Sequence, residues 1–245
     1  MARVVRIHQH GGPEVLRIEE VEVPPPAPGE VRIRLRALGL NRADALLRAG
    51  TYIEPPALPS GLGLEAAGIV DAVGAGVDGF APGDAVSVVP PVSMVRWPAY
   101  GELVTFPAAL VVRHPPSLSW EAAAALWMPY LTAYGALIDI ARLRKGEFVV
   151  VTAASSSVGL AAIQIANLAG AVPIAVTRTD TKRRPCWRTA RRTWWHRRRK
   201  TWPCGYRRSP GRKGSGWCWT RSAARSSNRW RRRCPAAASC SNMAA

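Results

Sequence analysis

Short apolar segments alternate with glycine and proline along the first hundred or so residues of this 245-residue chain. Gly- and Pro-rich turns separate five segments that are rich in β-branched and aliphatic side chains, namely residues 4–7, 16–23, 31–38, 68–73 and 82–89. Short strands with such punctuation predict an all-β region. We therefore expect a barrel-like β-domain over residues 1–118.

Helix and strand patterns alternate after this region. Ser119 occupies the N-cap position of a long helix-prone run. Phe148–Thr152 is a continuous apolar run, which suits a parallel strand covered on both faces. A helix over 158–169 and a second strand over 173–177 complete a βαβ unit. The order predicts an α/β chain in which a nucleotide-binding fold begins at residue 119.

The net charge of +18 is confined to one end of the chain. Residues 1–184 contain 17 Lys and Arg and all 16 Asp and Glu, whereas residues 185–245 contain 17 Lys and Arg and no acid. Seven of the ten Trp and all five Cys also follow Arg184. We therefore expect a β-domain (1–118), the start of a nucleotide-binding domain (119–183) and a disordered basic tail (184–245).

The body of the chain before the tail lacks cysteine. It therefore has neither a disulfide framework nor a cysteine-based zinc site, which fits a reducing compartment. The first residues do not form a signal peptide, and no window approaches the roughly 18 apolar residues of a membrane span. We expect a cytoplasmic protein without a membrane partner.

Small residues join the first strand of the predicted βαβ unit to its helix. The segment from Thr152 to Gly159 lies where a dinucleotide fold binds pyrophosphate, because small side chains let backbone N–H groups approach the phosphates. Ser156 and Ser157 occupy positions where the usual fingerprint has glycine. Taken alone, the segment fits a serine-capped helix equally well.

Four further motifs occur in one order along the chain. They are Gly11-Gly12-Pro13-Glu14-Val15-Leu16, Gly39-Leu40-Asn41-Arg42-Ala43-Asp44, Arg48-Ala49-Gly50-Thr51-Tyr52 and Gly79-Phe80-Ala81-Pro82-Gly83-Asp84. With them the chain resembles the quinone oxidoreductases, a branch of the medium-chain dehydrogenase/reductase superfamily, from about residue 4 to 183. The resemblance implies a GroES-like β-domain, an incomplete Rossmann domain, and hydride transfer to a quinone, an enone or a similar activated carbonyl compound.

Zinc-dependent alcohol dehydrogenases of the same superfamily hold their catalytic zinc through two cysteines and a histidine. The matching positions in this chain are Asn41, Leu64 and Met128, which supply neither thiolate nor imidazole. The four-cysteine lobe that binds structural zinc is missing as well. The resemblance therefore implies the zinc-independent branch.

Asn41, Asp44 and Tyr52 are the candidate catalytic residues that the resemblance implies. Asn41 and Tyr52 would line the cleft near the nicotinamide and bond to substrate oxygen or water, and Thr132 would approach the cofactor. Each has an ordinary alternative: a turn residue for Asn41, a solvated loop acid for Asp44, a core aromatic for Tyr52 and a helix hydroxyl for Thr132. The four histidines have no ligand-like spacing and receive no role.

Cofactor choice depends on the end of the second strand, where an NAD-specific fold usually has an acid. Thr177 and Arg178 stand there with Lys182 nearby, and hydroxyl and guanidinium groups suit the 2′-phosphate of NADPH. The alternative is a solvated basic loop, and the acidic residue Asp180 in this segment leaves that alternative open. The expected cofactor-binding residues are Thr132, Ser155, Ser156, Ser157, Val158, Gly159, Thr177, Arg178 and Lys182. A small-molecule substrate, and a homo-oligomer in many relatives, follow from the same resemblance.

The tail does not continue the resemblance, and we expect none of the further strands that a Rossmann domain needs. Its Trp and Arg residues suit stacking on bases and contact with phosphates, so a nucleic-acid-binding protein is the alternative function. Nucleic-acid binding does not explain why acidic residues are absent after one point in the chain.

A shifted reading frame accounts for this composition. If one nucleotide is lost near Arg183 and Arg184, each Trp codon (TGG) and Cys codon (TGC or TGT) conceals a codon ending in TG, which encodes Leu, Val or Met. With suitable synonymous codons, residues 215–230 conceal Val-Arg-Val-Val-Leu-Asp-Pro-Val-Gly-Gly-Pro-Gln-Phe-Glu-Pro-Leu, a strand followed by the Asp-Pro-x-Gly-Gly turn familiar from the superfamily. We therefore expect the chain as it stands to be truncated and inactive.

Overall fold

The computed structural model describes residues 1–177, 193–196 and 217–219. The chain divides into two compact units, Met1–Met128 and Pro129–Ala245. The tail that we expect to be disordered lies outside the described residues, except for two short strands reported below.

The first unit consists of two antiparallel sheets and two short helices. The three-stranded sheet has the order β2-β1-β4, with β1 Ala2–Ile7, β2 Leu16–Val21 and β4 Ser60–Gly61. The five-stranded sheet has the order β7-β3-β5-β6-β8, with β3 Glu30–Gly39, β5 Glu65–Val73, β6 Ala85–Val88, β7 Leu103–Pro107 and β8 Val111–Arg113. Helices α1 and α2 span Arg42–Arg48 and Trp120–Ala124. The predicted β-rich domain is confirmed, as two sheets that do not close into one barrel.

Alternation along β3 separates the core of the larger sheet from its outer face. Val31 and Ile33 are fully buried, while Arg32 and Arg34 both bond to Asp71 of β5, at 2.7 and 2.8 Å. This period of two is the reason that the segment forms a half-covered strand. Each fully buried aliphatic side chain stabilises the sheet by about 1.5–3 kcal/mol.

A parallel sheet forms the second unit. Its order is β11-β10-β9-β12, with β9 Phe148–Thr152, β10 Val172–Thr177, β11 Thr193–His196 and β12 Trp217–Trp219. Helix α3 spans Trp127–Tyr134, a π-helical segment spans Gly135–Ile140, and α4 spans Ser157–Leu168 between β9 and β10. The predicted βαβ unit is confirmed. β9 has the expected bounds, α4 begins and ends one residue earlier than expected, and β10 begins one residue earlier.

The expectation that no strand follows residue 177 is wrong for two segments. β11 pairs in parallel with β10, and β12 pairs in parallel with β9. Strand pairing uses backbone N–H and C=O groups, so a segment without an apolar period can still occupy the free edge of a sheet. The expectation rested on the end of the family resemblance, which does not exclude such backbone pairing.

The long helix expected after Ser119 is interrupted. Ser119 caps α2 as predicted, since its Oγ accepts a hydrogen bond from the amide of Ala122 at 3.2 Å. A continuous helix would bring the ring of Pro129 against the carbonyl of Ala125, four residues earlier. The chain therefore ends α2 at Ala124 and starts α3 at Trp127, which places Pro129 in a first turn, where proline is tolerated.

In the described part of the chain, no helix has both the length and the apolar character needed to cross a membrane.

Candidate functional site

Asn41 stands at the junction between β3 and α1. It is the N-cap of α1, with extended backbone angles, and its backbone N–H donates to Oδ2 of Asp44 at 2.7 Å. An acid at the third helical position that returns to the N-cap amide is one half of a capping box, which fixes where the helix begins. The motif therefore holds the two catalytic candidates Asn41 and Asp44 together.

Asp44 is a buried carboxyl group, only 5% exposed. The Tyr100 hydroxyl donates to its Oδ2 at 2.8 Å, whereas Oδ1 is buried without a hydrogen-bond partner. Burial raises the pKa of Asp44, and the bonds from Asn41 and Tyr100 oppose that rise. Burial and the adjacent carboxyl together raise the pKa of Tyr100. The burial of Asp44 excludes the alternative of a solvated loop acid.

Tyr52 lies beside the same region. It is partly buried and packs against the apolar cluster that contains Ile7, Leu47 and Leu64. Burial raises the pKa of its hydroxyl, and the charges of Glu54 and Asp44 raise it further. The structure therefore brings Tyr52 within electrostatic reach of Asp44, the second member of the predicted catalytic set.

Glu65 connects this group to α3. The residue opens β5 directly opposite Gly39 of β3, and it is 2% exposed. Its Oε1 accepts from Nδ2 of Asn41 at 3.0 Å, and its Oε2 accepts from the backbone N–H of Met128 at 2.8 Å. Burial raises the pKa of Glu65, and its bonds from Met128, Asn41 and the Trp127 amide oppose the rise.

At two of the three positions that match zinc ligands, the side chain is apolar and packs in an apolar cluster. Leu64 is 3% exposed and belongs to the apolar cluster beside Tyr52, against which Met128 also packs. The third position is Asn41, whose side-chain amide bonds to Glu65. The described residues contain no group of three or more His, Cys, Asp or Glu side chains suited to a metal ion.

In the second unit, the serine-rich loop links the carboxyl end of β9 to the N-terminus of α4. Ser156 is the N-cap, and its Oγ accepts from the amide of Gly159 at 3.1 Å. The first backbone bond inside the helix runs from Leu160 to Ser156, so the amides of Ser157 and Val158 precede it. The serine-capped helix that we set beside the phosphate-binding interpretation is thus present, and the two are compatible.

Glycine is required at position 159 because a side chain there would collide with the backbone of the loop. A Cβ atom on Gly159 would lie 2.6 Å from the Ala153 carbonyl oxygen and 2.7 Å from the Ala154 Cα. Ala153 itself has a φ of 50°, in the left-handed region that favours glycine. The loop therefore folds tightly against the helix, as in a dinucleotide-binding turn.

The remaining predicted residues lie in three situations. Thr132 is an exposed residue of α3, and Ser155 is a partly buried member of the serine loop. Thr177 is buried at the carboxyl end of β10. Arg178 and Lys182 lie outside the described residues, so their assignment to a 2′-phosphate stays a prediction.

Loss of the cap should weaken α4 measurably. We expect Ser156→Ala to lower the free energy of unfolding of this helix by about 1 kcal/mol, because the Gly159 amide loses its partner. Hydrogen exchange of the Gly159 amide measures the change directly. Ser155→Ala is the matched control and should stay within about 0.5 kcal/mol. Equal effects of the two substitutions would contradict the cap.

Sequence reasoning missed two residues of the first unit. Neither Glu65, which follows the matched position Leu64, nor Tyr100 received a role. A glutamate inside the apolar run Glu65-Ala66-Ala67-Gly68-Ile69-Val70 was the available signal, because a buried carboxyl needs specific partners. No local pattern marks Tyr100, which lies 56 residues from Asp44.

Residues 27–116 match the alcohol dehydrogenase GroES-like domain. The match spans all five strands of the larger sheet, so the first unit contains an alcohol dehydrogenase GroES-like domain.

The chain is also similar to quinone oxidoreductases. It is 40% identical to the quinone oxidoreductase of Lama guanicoe over 168 residues, which are 68% of this chain and 50% of that protein. It therefore spans about half the length of the curated relatives it matches.

Solved structures agree. The Escherichia coli quinone oxidoreductase complexed with NADPH is 34% identical with a TM-score of 0.73, over 82% of this chain and 60% of that one. An NAD-dependent alcohol dehydrogenase is 38% identical with a TM-score of 0.75, over 82% and 65%. Both names mention a nicotinamide cofactor, NADPH for the first protein and NAD for the second.

Proposed function

We propose that the parent protein reduces a quinone, an enone or a similar activated carbonyl compound with NADPH, without zinc. The observation that carries the proposal is the strand order β11-β10-β9-β12. The chain proceeds from β9 to β10 and β11 on one side and returns to β12 on the other, so β9 lies at the point where the order reverses. Open parallel sheets bind dinucleotides at the carboxyl ends of strands around this point.

The loop after β9 has the features that a pyrophosphate requires. Its small side chains and the close approach of Gly159 to Ala153 keep the backbone accessible. The amides of Ser157 and Val158 stand at the N-terminus of α4, where the helix dipole favours an anion. We infer that Ser155, Ser156, Ser157, Val158 and Gly159 form the phosphate-binding turn.

The bound nicotinamide would supply the hydride. The chain's own part is to orient the acceptor and to stabilise negative charge on its oxygen. Asn41 and Tyr52 are the proposed hydrogen-bonding residues, with Thr132 approaching the cofactor. Asp44 accepts hydrogen bonds from the backbone N–H of Asn41 and from the Tyr100 hydroxyl, and it thereby holds the start of α1 in place. We propose small-molecule substrates and a cytoplasmic location for this enzyme.

The residues present do not suit the superfamily's catalytic zinc. Leu64 and Met128 contribute apolar packing where ligands would be needed, and the Asn41 amide is engaged by Glu65. Zinc prefers thiolate, imidazole or carboxylate ligands in a tetrahedral set. We therefore propose that polarisation of the acceptor comes from hydrogen-bond donors.

The frame-restored protein, in which one nucleotide is reinserted near the codons for Arg183 and Arg184, is the form in which we propose that the enzyme works. We expect it to purify without stoichiometric zinc and to keep its rate of NADPH oxidation with duroquinone after treatment with a chelator. Elemental analysis and a rate assay provide the measurement. One zinc per chain, with activity lost on chelation and regained with zinc, would contradict the assignment of Asn41, Leu64 and Met128.

Cofactor preference has its own test. Arg178→Ala in the frame-restored protein should weaken NADPH binding by about tenfold or more and leave NADH binding nearly unchanged, because only NADPH carries the 2′-phosphate. Titration of both cofactors with fluorescence detection measures the two dissociation constants. Lys182→Ala, the second candidate, should have a smaller effect of the same kind. Equal losses for both cofactors would overturn the assignment.

A further inference from the structure

Glu65 has a set of contacts that a packing role does not require. The side chain is 2% exposed, yet its two oxygens accept bonds from three N–H groups, those of Asn41 Nδ2, Met128 and Trp127. A buried carboxylate is tolerated only when such donors compensate for lost hydration. The two backbone donors belong to the first turn of α3, where the helix dipole favours a negative charge.

The bond to Asn41 decides which way its amide faces. An asparagine side chain has an NH2 end that only donates and an oxygen end that only accepts. Since a carboxylate only accepts, the NH2 end must face Glu65, and the Oδ1 end must face away from it. The same NH2 group also lies 3.5 Å from the Gly39 carbonyl oxygen, so Glu65 makes the shorter of its two contacts.

The backbone leaves room for this arrangement. Gly39 and Glu65 are directly opposed on β3 and β5. A Cβ atom on Gly39 would lie 2.4 Å from Cγ of Glu65 and 2.4 Å from the carbonyl oxygen of Ala124. The Glu65 side chain therefore occupies the space that a side chain at position 39 would need. Gly39 lies two residues before Asn41, the residue that Glu65 contacts.

We propose that Glu65 is a positioning residue. Its carboxylate, held by backbone N–H groups of the first turn of α3, fixes the orientation of the side-chain amide of Asn41. The inference rests on the proposed function, in which the second hydrogen of that NH2 group, whose nitrogen lies 3.5 Å from the Gly39 carbonyl oxygen, donates to the acceptor oxygen. A glutamine would not substitute, because its NH2 group would face N–H donors on one side or the other. An aspartate would keep the charge but be too short to reach both partners.

Nuclear magnetic resonance of the 245-residue chain tests the orientation without any turnover. The chain has four asparagines, Asn41, Asn167, Asn228 and Asn242, so selective ¹⁵N-asparagine labelling yields four side-chain NH2 pairs. Asn41→Asp identifies the pair of interest by its loss. We expect one proton of that pair to be shifted downfield and protected from solvent exchange. Glu65→Gln should abolish the shift and speed exchange by about tenfold or more.

Glu102→Gln is the matched control, because Glu102 is an exposed carboxylate of the same unit that bonds to Arg3. It should leave the Asn41 signals unchanged. Asn41 signals that are the same in wild type and Glu65→Gln, or that change equally in both glutamine variants, would overturn the proposal.

A double-mutant cycle in the frame-restored protein separates positioning from a general structural role. Glu65→Gln should lower kcat by roughly tenfold to a hundredfold, with the KM for NADPH changed by less than about twofold. In an Asn41→Ala background the same substitution should cost little more. Equal losses in both backgrounds would show that Glu65 does not act through Asn41. If no variant turns over NADPH, the proposed function fails, and the resonance experiment still decides the orientation of the amide.

Discussion

The 245-residue chain should oxidise NADPH with a quinone about 100-fold more slowly than the frame-restored protein, or not at all. Similarity to the guanaco quinone oxidoreductase covers 168 residues, half of that protein, and the tail contributes seventeen like charges without one acid. Such a segment cannot supply the apolar layer that covers a parallel sheet. The measurement is the initial rate of NADPH oxidation by the two purified proteins under identical conditions.

The strand β12 supports the frame interpretation independently of composition. Trp217, Cys218 and Trp219 pair with Val149, Val150 and Val151 of β9, in the fourth place of the sheet. In the shifted frame Cys218 and Trp219 conceal Val-Leu and Trp217 conceals Leu, Val or Met, all of them residue types that suit a buried parallel strand. The position where the backbone forms a strand is thus the position where the concealed sequence predicts one.

Two results would contradict this account. Comparable rates from the two proteins would show that the tail completes the fold as it stands. Resequencing that finds no missing nucleotide, together with salt-dependent binding of DNA or RNA that is lost when residues 197–200 are neutralised, would favour the nucleic-acid-binding alternative.

Gly159→Val should disrupt the second unit more than any other substitution discussed for the loop. The new Cβ would lie within 2.7 Å of two backbone atoms, those of Ala153 and Ala154, which cannot move aside as a flexible side chain can. We expect destabilisation of about 3 kcal/mol and loss of NADPH binding in the frame-restored protein, since the phosphate-binding turn must open. Hydrogen exchange of peptides from residues 148–177 and cofactor titration measure the two effects.

Gly135→Ala provides the matched control. A Cβ at Gly135, in the π-helical segment of the same unit, meets no atom within 4 Å. This substitution should leave cofactor binding unchanged and alter stability by no more than about 1 kcal/mol, in the stabilising direction expected for alanine in a helix. A Gly159→Val protein that binds NADPH as the control does would refute the proposed turn.

Elements with a strong local signal could be predicted from the sequence. The apolar run of β9, the small-residue helix α4 and the Ser119 cap all depend on neighbouring residues, and each is present. The break at Pro129 was equally local, and the steric rule for proline would have located it.

The missing part of the prediction depends on distant partners. Asn41 and Glu65 are 24 residues apart, and Glu65 and Met128 are 63 apart, so no window along the chain contains the network. The left-handed backbone of Ala153 likewise follows from the packing of the loop on α4, since alanine by itself disfavours that conformation. The resemblance indicated Asn41 and Asp44 as candidates, but only the fold shows what holds them.

Isotope transfer tests the central claim most directly. The frame-restored protein, freed of metal by a chelator, is incubated with 2-cyclohexen-1-one and NADPH that carries deuterium at both positions of C4 of the nicotinamide, and the product is analysed by mass spectrometry. Hydride transfer to the enone predicts a saturated ketone with one deuterium on its β carbon, formed at the same rate with and without chelator. A product without deuterium, or one that forms only when zinc is added back, would contradict the account.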